Sequence, residues 1–225
     1  MLPFEMSRVP TGPGGLFYGV YPAVVTELGT GEYQGYVKVR LPWSPDSGSE
    51  EYAVWARVSV LMAGGDRGTW FIPDEEDEVL VAFQGGQPDH PFVVGALWNG
   101  QDAPPEQMDG AGENNLKTIC SRTGIRITMD DSVGAVKLTL ETPGGQRVTL
   151  DDGGLNVLVE DSNGNSIKLQ PSGITITAAA QVEVNASMVQ VNAPLSRFSG
   201  VVQCDTLITN SVISSSYTPG AGNIW

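Results

Sequence analysis

Groups that could act as acids, bases or nucleophiles are few in this chain of 225 residues. The single histidine, His90, lies in the segment Pro88-Asp89-His90-Pro91, immediately before an apolar run. Hydrolytic triads and most proton-transfer sites use a histidine held against a second functional group. We interpret His90 as a turn residue before a strand, and we predict that the chain is not an enzyme.

Two acidic doublets, Asp130-Asp131 and Asp151-Asp152, have the composition of a paired acid and base. Each doublet follows a strand-like run and precedes a glycine, where turn-forming aspartates are common. The segment Asp161-Ser162-Asn163-Gly164-Asn165 has oxygen ligands at short spacing but lacks the remaining positions of a calcium loop. We interpret all three segments as turns, and we expect neither a metal nor another cofactor.

The two cysteines, Cys120 and Cys204, are far apart and match no metal-binding or redox spacing. We interpret them as buried or idle thiols, and a disulfide between them stays open at this stage. The glycine clusters follow neither the phosphate-loop nor the dinucleotide pattern. Nucleotide binding is therefore not expected.

The charge balance argues against nucleic acid and membrane surfaces as partners. The net charge is −14, and residues 1–103 contain 5 basic and 14 acidic groups. Such a surface repels phosphate backbones and anionic lipids. The sequence shows neither the pattern of a secretion signal nor an apolar run of about 18 residues. We expect the protein to be made and assembled in the cytoplasm.

Apolar residues in the first half alternate with period two, which predicts strands and an all-β fold. Residues 19–26 and 35–41 are predicted to pair across the turn Gly29-Thr30-Gly31. Three further strands are predicted at residues 52–60, 79–83 and 92–97. Five strands of this length in about 85 residues fit an OB-type barrel.

A polar linker rich in proline and glycine, residues 101–115, precedes a second half of different texture. From Leu116 onward short alternating runs recur between turns, and GGQRVTLDDGG is nearly repeated as NGNSIKLQPSG. Predicted strands include the runs Val182–Val184 and Val189–Val191. A short repeat that cannot bury its apolar face alone must stack, either within one chain or between chains.

The distribution of charge decides between these two arrangements. From residue 174 to residue 225 the only charged residues are Glu183, Arg197 and Asp205. In a threefold fibre every charge is triplicated around a narrow axis, where like charges repel at short distance. A monomeric solenoid has no such constraint. We therefore predict a homotrimer.

Six segments of the first half, taken in order, resemble the OB domain of the VgrG, phage baseplate V and T4-type cell-puncturing spike family. They are Gly35–Trp43, Trp55–Val58, Ala63–Gly68, Trp70–Pro73, Asp77–Phe83 and Asp89–Asn99. The later stretch NNLKTICSRTGIRITMDD resembles the part of these spikes that leads into their triple-stranded β-helix.

The resemblance implies an N-terminal OB-fold barrel followed by an intertwined trimeric β-helix needle. It also implies a central spike at the baseplate tip of a contractile, phage-tail-like injection machine, pushed mechanically through the target envelope.

The hub region that precedes the barrel in VgrG proteins is not in this sequence, so a separate hub protein is expected. T4-type spikes carry a lysozyme domain where this chain has its linker. Some members hold iron through a His-x-His pair near the C-terminus, and no histidine follows His90.

Both ends of the chain are expected to contact partners. The resemblance implies a PAAR-type tip protein, and we predict that its docking face includes Ile213, Tyr217, Ile224 and Trp225. A tail that seals the trimer's own end is the alternative. The predicted hub contacts are Leu2, Phe4, Met6, Phe17 and Tyr18, and an unbound flexible lead-in is the alternative there.

The predicted organisation has five parts. They are a lead-in at residues 1–16, an OB-fold domain at 17–100, a linker at 101–115, a triple-stranded β-helix at 116–211 and a tip segment at 212–225. A trimeric receptor-binding tail fibre or adhesin is the alternative function. Such a fibre is expected to carry an aromatic-rich globular domain beyond its shaft, and this sequence has only the irregular tip segment there.

Overall fold

Short β-strands make up almost all of the regular structure, as the alternating apolar pattern predicts. A computed structural model describes residues 15–43, 52–108 and 110–216. The strands are β1 (Val20–Leu28), β2 (Tyr36–Arg40), β3 (Ala53–Val58), β4 (Ala63–Gly64), β5 (Arg67–Gly68), β6 (Glu78–Phe83), β7 (Pro91–Ala96), β8 (Leu116–Cys120), β9 (Arg126–Asp130), β10 (Lys137–Glu141), β11 (Arg147–Asp151), β12 (Asn156–Glu160), β13 (Ser166–Gln170) and β14 (Gly173–Thr177).

Helical structure in the described residues is limited to two single-turn 3-10 helices, Gly31–Tyr33 and Gln84–Gly86. Across these same residues, no helix has the length and apolar character needed to cross a membrane. The chain divides into two compact units, Met1–Thr177 and Ala178–Trp225.

Strands β1, β2, β3, β7 and β6 close into a five-stranded barrel in that order. Neighbouring strands are antiparallel except β3 and β7, which run parallel. The connection from β1 to β2 passes through Gly29, where an added Cβ would lie 2.0 Å from the carbonyl oxygen of Tyr33. Only glycine fits this close approach of two backbone segments. The barrel predicted from the sequence is confirmed.

Alternate residues of the barrel strands point inward and form its core. The most deeply buried are Ala23, Val25, Val37, Val39, Leu41, Ala56, Val79, Val81 and Val93. Phe17 and Phe83 complete this core, with ring centroids 5.4 Å apart. Trp43 packs against Phe17 at 5.2 Å, and its indole Nε1 donates a hydrogen bond to the Pro22 carbonyl at 2.7 Å. The aromatic rings therefore seal the barrel interior.

Two residues predicted as hub contacts, Phe17 and Tyr18, have opposite surroundings. The side chain of Phe17 is 9% exposed and belongs to the barrel core, whereas Tyr18 is 60% exposed. Successive residues of an extended chain point to opposite sides, so only one of this pair can face solvent. Of the two, only Tyr18 has a solvent-exposed ring that a partner can contact.

Strands β8 to β14 form a seven-stranded antiparallel sheet in which every strand pairs with its sequence neighbours. Side chains directly opposite one another lie on the same face of such a sheet. One face carries Thr118, Thr128, Thr139 and Thr149 in a continuous row across four strands. The other face is aliphatic. The sheet thus has one polar and one apolar face.

Charged residues of alternating sign form a second row on the polar face. Arg126, Glu141, Arg147 and Glu160 are paired across β9, β10, β11 and β12. The Arg147 guanidinium lies 3.3 Å from the Glu141 carboxylate and 3.6 Å from that of Glu160. Because each charge has an opposite charge across the strand, this row favours the observed register.

The linker joins this row through Glu106. Its carboxylate pairs with the Arg126 guanidinium and accepts a hydrogen bond from the Thr118 hydroxyl at 2.8 Å. Arg126 also donates to the carbonyl oxygen of Pro105 at 3.2 Å. These contacts tie the linker to β8 and β9.

A separate ion pair joins the barrel to the sheet. Arg122, in the turn between β8 and β9, lies 2.9 Å from the Asp74 carboxylate in the loop before β6. The Asp74 backbone N–H donates to Asp77 at 2.8 Å, which orders that loop. The barrel and the first hairpin of the sheet are therefore in direct contact.

Residues 178–216 contain no strand within the described structure. The runs Val182–Val184 and Val189–Val191, predicted as strands, are irregular in the single chain, and their valines are exposed. A strand needs a second backbone to satisfy its N–H and C=O groups, and the described part of the chain supplies none to this segment.

We predict that Glu106→Gln lowers the free energy of unfolding by about 1 kcal/mol, because it removes a charge-assisted hydrogen bond from a half-buried ion pair. Guanidinium unfolding at fixed chain concentration measures this change. Glu32→Gln is the matched control, since Glu32 is exposed and outside the row. Equal stability of the two variants would contradict a structural role for Glu106.

Candidate assembly interface

The aliphatic side of the sheet is the largest exposed apolar surface of strands β8 to β14. We call it the apolar face. One row of directly opposed residues crosses all seven strands: Ile119, Ile127, Leu140, Val148, Val159, Ile167 and Ile176. A second row crosses six strands: Met129, Leu138, Leu150, Val157, Leu169 and Ile174.

The apolar face is open in the single chain. Leu150 is 42% exposed, Val159 is 42% exposed and Ile174 is 69% exposed. Covering the remaining exposed area of thirteen such side chains would stabilise the fold by on the order of 10 kcal/mol per chain. This is comparable to the whole stability of a typical domain. A second layer of protein must therefore cover the face in the folded state.

The open edges of the sheet point to the same conclusion. Among the described residues, strand β8 pairs only with β9, and β14 pairs only with β13. Each edge strand exposes a line of N–H and C=O groups that are free to pair with another chain. The polar face, with its threonine and charged rows, is in contrast suited to solvent. The apolar face and the two edges together form the candidate interface.

The acidic turns place their carboxylates against backbone N–H groups. Asp161 Oδ1 accepts the N–H groups of Asn163 and Asn165, each at 2.9 Å, and Asp161 Oδ2 accepts from the Asn165 side chain at 2.7 Å. These hydrogen bonds to Asn165 and Asn163 lower the pKa of Asp161 to about 2. The segment is a turn stabilised by a carboxylate, as interpreted from the sequence.

The other candidate acids have similar surroundings. Asp151 accepts the Gly154 N–H at 2.7 Å, and Asp130 accepts the Ser132 N–H at 3.0 Å. Hydrogen bonds from Ser132 lower the pKa of Asp130. His90 is exposed, and its Nδ1 lies 2.9 Å from the Asp89 carboxylate. Among the described residues, no three His, Cys, Asp or Glu side chains come together as a metal site.

For the two cysteines the sequence left buried and idle thiols open, and the single chain shows neither of them buried. Both Cys120 and Cys204 are free thiols, and both are exposed in the single chain rather than buried. Cys120 lies on the polar face of β8, in register with Arg126. The physical reason is that alternation places Cys120 on the same side as Thr118 rather than among the aliphatic residues.

The residues predicted to contact a tip protein or hub are only partly within the described structure. Ile213 is 98% exposed and Tyr18 is 60% exposed. Tyr217, Ile224 and Trp225 lie outside the described residues, as do Leu2, Phe4 and Met6. The tip-protein docking face and the hub contact therefore stay predictions.

An exposed apolar loop of the barrel was missed by sequence reasoning. Leu61 and Met62 precede β4, while Trp70 and Phe71 follow β5, and their exposed fractions range from 54% to 96%. The sequence signal was available, because two apolar pairs flank the polar turn AGGDRG. Large apolar groups on such a loop favour contact with another protein.

A five-stranded barrel followed by a sheet with one uncovered apolar face is typical of a β-protein that forms oligomers. Similarity to known proteins identifies the family. Residues 21–98 match the type VI secretion system/phage-baseplate injector OB domain. Residues 137–197 match the phage baseplate V C-terminal trimerisation domain. The chain therefore belongs to the phage baseplate V and VgrG spike family, as the sequence motifs indicated.

Individual relatives agree with this assignment. The type VI secretion system spike protein VgrG1b of Pseudomonas aeruginosa is 31% identical over 156 residues, covering 64% of this chain and 21% of that protein. VgrG1a of the same organism is 31% identical over 150 residues, or 61% of this chain and 23% of that protein. The chain thus spans only about a fifth of the length of these relatives.

A third relative carries a toxin name. The actin cross-linking toxin VgrG1 of Vibrio cholerae is 32% identical over 113 residues, which is 50% of this chain and 10% of that protein. Nine tenths of the toxin therefore lies outside the similar region.

We predict that the Asp161 turn contributes stability that is lost in acid. Because the folded-state pKa is lowered from 3.8 to about 2, the contribution is complete above about pH 4 and disappears as pH falls through about 2. Asp161→Ala should therefore be less stable than the parent protein at pH 7, and the difference should shrink at pH 2. Guanidinium unfolding midpoints at both pH values measure it.

Asp205→Ala is the control for this experiment, because the Asp205 side chain has no hydrogen bond within the described part of the chain. It should leave the unfolding midpoint nearly unchanged at both pH values. A stability difference for Asp161→Ala that stays the same at pH 7 and pH 2 would contradict the proposed role of the ionised carboxylate.

Proposed function

We propose that the protein is the homotrimeric central spike of a contractile, phage-tail-like injection machine and pierces the target envelope mechanically. The observation that carries this proposal is the uncovered apolar face, which lies largely within the segment that matches the trimerisation domain. Three copies of the sheet, with their apolar faces turned to a common axis, would cover one another. Such an assembly has no free apolar layer and few free strand edges.

The segment after the sheet supports the same assembly. Residues 178–216 expose aliphatic side chains, among them Val189, Val201 and Ile208. They contain only three charged residues, Glu183, Arg197 and Asp205. A segment without strand partners in its own chain gains them if three chains wind around one axis. We propose that this segment continues the needle as an intertwined β-helix.

The proposed action is mechanical and not enzymatic. The groups that could do acid–base chemistry are engaged in turns: Asp161 and Asp151 accept backbone N–H groups, and His90 is exposed beside Asp89. The hydrogen bonds that Asp161 accepts from Asn165 and Asn163 lower its pKa to about 2, so this carboxylate is a poor proton acceptor near neutral pH. A stiff needle, by contrast, needs only cooperative backbone hydrogen bonds and a dry core.

The proposed position in the machine has two protein contacts. A baseplate hub protein would bind the barrel. In the described part of the chain, the exposed aromatic residue predicted for this contact is Tyr18. A PAAR-type tip protein would meet the C-terminal end, with Ile213 as the described member of the predicted docking face. The spike would be assembled in the cytoplasm before it is loaded at the baseplate tip.

The first test of the trimer is the mass of the purified protein in solution. Light scattering should give the mass of three chains of 23.8 kDa, about 71 kDa together. A monomer near 23.8 kDa would contradict both the trimer and the mechanical role.

A matched pair of variants tests the role of the apolar face. Leu150 and Thr149 are neighbours on β11 but point to opposite faces of the sheet. Leu150→Asn should abolish or strongly weaken trimer formation, because it places three polar amides in the apolar interior. Thr149→Asn should leave the trimer intact. If both variants form trimers of equal stability, another surface holds the assembly.

The tip contact can be tested in the same way. We expect Ile213→Asp to reduce co-purification with the PAAR-type protein by at least about tenfold, because it buries an unpaired charge. Asn210→Asp is the control, since Asn210 is a polar, exposed residue of the same unit that lies outside the predicted docking face. Undiminished binding by Ile213→Asp would instead favour a tail that seals the trimer's own end.

A further inference from the structure

One outer surface of the barrel has an unusual composition. Tyr36 on β2, Trp55 on β3 and Phe92 on β7 alternate with the buried residues Val37, Ala56 and Val93, so their rings point outward. Outward positions of such strands are usually polar. Strand pairing places these residues side by side, since Arg57 is in register with both Tyr36 and Phe92. We call this surface the aromatic face.

The aromatic rings of this face form a flat platform. Tyr33 stacks on Trp55 with ring centroids 4.5 Å apart and planes inclined by 15°. Tyr36 meets Tyr33 edge-on at 5.9 Å. The ammonium group of Lys38 lies 5.7 Å from the Trp55 ring centre and is paired with Glu27 at 3.3 Å. The platform is thus ordered before any ligand arrives.

A positively charged group without a carboxylate partner lies beside the platform. The Arg57 guanidinium is 5.6 Å from the Phe92 ring centre, and it has neither a hydrogen bond nor an ion pair within the described part of the chain. Gln84, His90 and Asp89 line the same cavity, whose volume is about 440 Å³, and the Asp89 carboxylate is paired with His90 Nδ1 at 2.9 Å. Guanidinium groups bind carboxylates and phosphates through paired hydrogen bonds.

We propose that the aromatic face binds an acidic oligosaccharide. The apolar C–H faces of sugar rings would pack on the stacked Tyr33–Trp55 platform, and Arg57 would pair with a carboxylate or phosphate of the sugar. Gln84 and His90 would accept or donate hydrogen bonds to hydroxyl groups. An aromatic lining with a few polar groups is typical of such pockets. The corresponding strand 2–3 face of OB barrels binds oligosaccharides and oligonucleotides.

The charge of the barrel separates these two ligand classes. Residues 1–103 contain 5 basic and 14 acidic groups, so the barrel repels a strand that carries one phosphate per nucleotide. An oligosaccharide with a single acidic group encounters Arg57 without that accumulated repulsion. Sugar binding would add recognition of an envelope glycan to the proposed mechanical penetration, and the titration reports it separately from the solution mass that tests the trimer.

The test is calorimetric titration of the full chain with defined probes. The acidic probes are 3′-sialyllactose and 6′-sialyllactose, each with a single carboxylate; the neutral probe is lactose, and the nucleic acid probe is an eight-residue oligothymidylate. We expect at least one acidic probe to bind at least about tenfold more tightly than lactose, because one charge-assisted pair distinguishes them. The oligothymidylate should bind more weakly than that acidic probe.

Two variants with the same net charge test whether the preference for the acidic probe over lactose comes from the aromatic face. Arg57→Gln should remove the preference for the acidic probe, whereas Arg67→Gln, a cation on β5 that does not line this cavity, should retain it. Trp55→Leu should abolish binding of the sugar while circular dichroism and solution mass stay unchanged. Failure of both acidic probes to bind, tighter binding of the oligothymidylate, or an unchanged preference in Arg57→Gln would overturn the proposal.

Discussion

A single-layered sheet cannot bury its own aliphatic side, and much of this protein's organisation follows from that constraint. Strands β8 to β14 place thirteen aliphatic residues on one side, and many of them are exposed in the described structure. The threonine and charged rows make the other side suitable for contact with water, so the aliphatic side is the one that requires covering by protein. Charge pairs such as Arg147–Glu141 keep the register, so that every aliphatic residue falls on the same side. The barrel, by contrast, has a closed core of its own.

Much of the fold was predictable because alternation is a local signal. The pairing of β1 with β2 through Gly29 and the six strands from β9 to β14 follow from apolar spacing and turn residues alone. The acidic turns were predictable for the same reason, since Asp161 contacts residues only two and four positions away. Family motifs then supplied the OB assignment, which spacing alone could not distinguish from other small barrels.

The features that sequence reasoning missed depend on contacts between distant segments. The ring of Phe17 enters the core because the chain before β1 hydrogen-bonds to Gly86, with the Phe17 N–H 2.8 Å from that carbonyl. The aromatic face exists because β3 pairs with β7, a strand distant in the sequence. No local sequence pattern reveals this parallel pairing. The role of Glu106 was also hidden, since a polar linker residue gains a partner only when Arg126 arrives from β9. Residues 178–216 contain no strand in the described structure, because apolar alternation alone does not provide the second backbone that a strand requires.

The strict neighbour-to-neighbour pairing of β8 to β14 has a kinetic consequence. Each hairpin closes a short loop, so the contact order of this sheet is low and it can form early on a single chain. Association then becomes the concentration-dependent step, and chains waiting for partners display both an aliphatic surface and two unpaired edges. Newly synthesised chains are therefore most vulnerable to off-pathway aggregation between hairpin closure and assembly. Nearby synthesis from the same messenger RNA would shorten that interval by raising the local chain concentration.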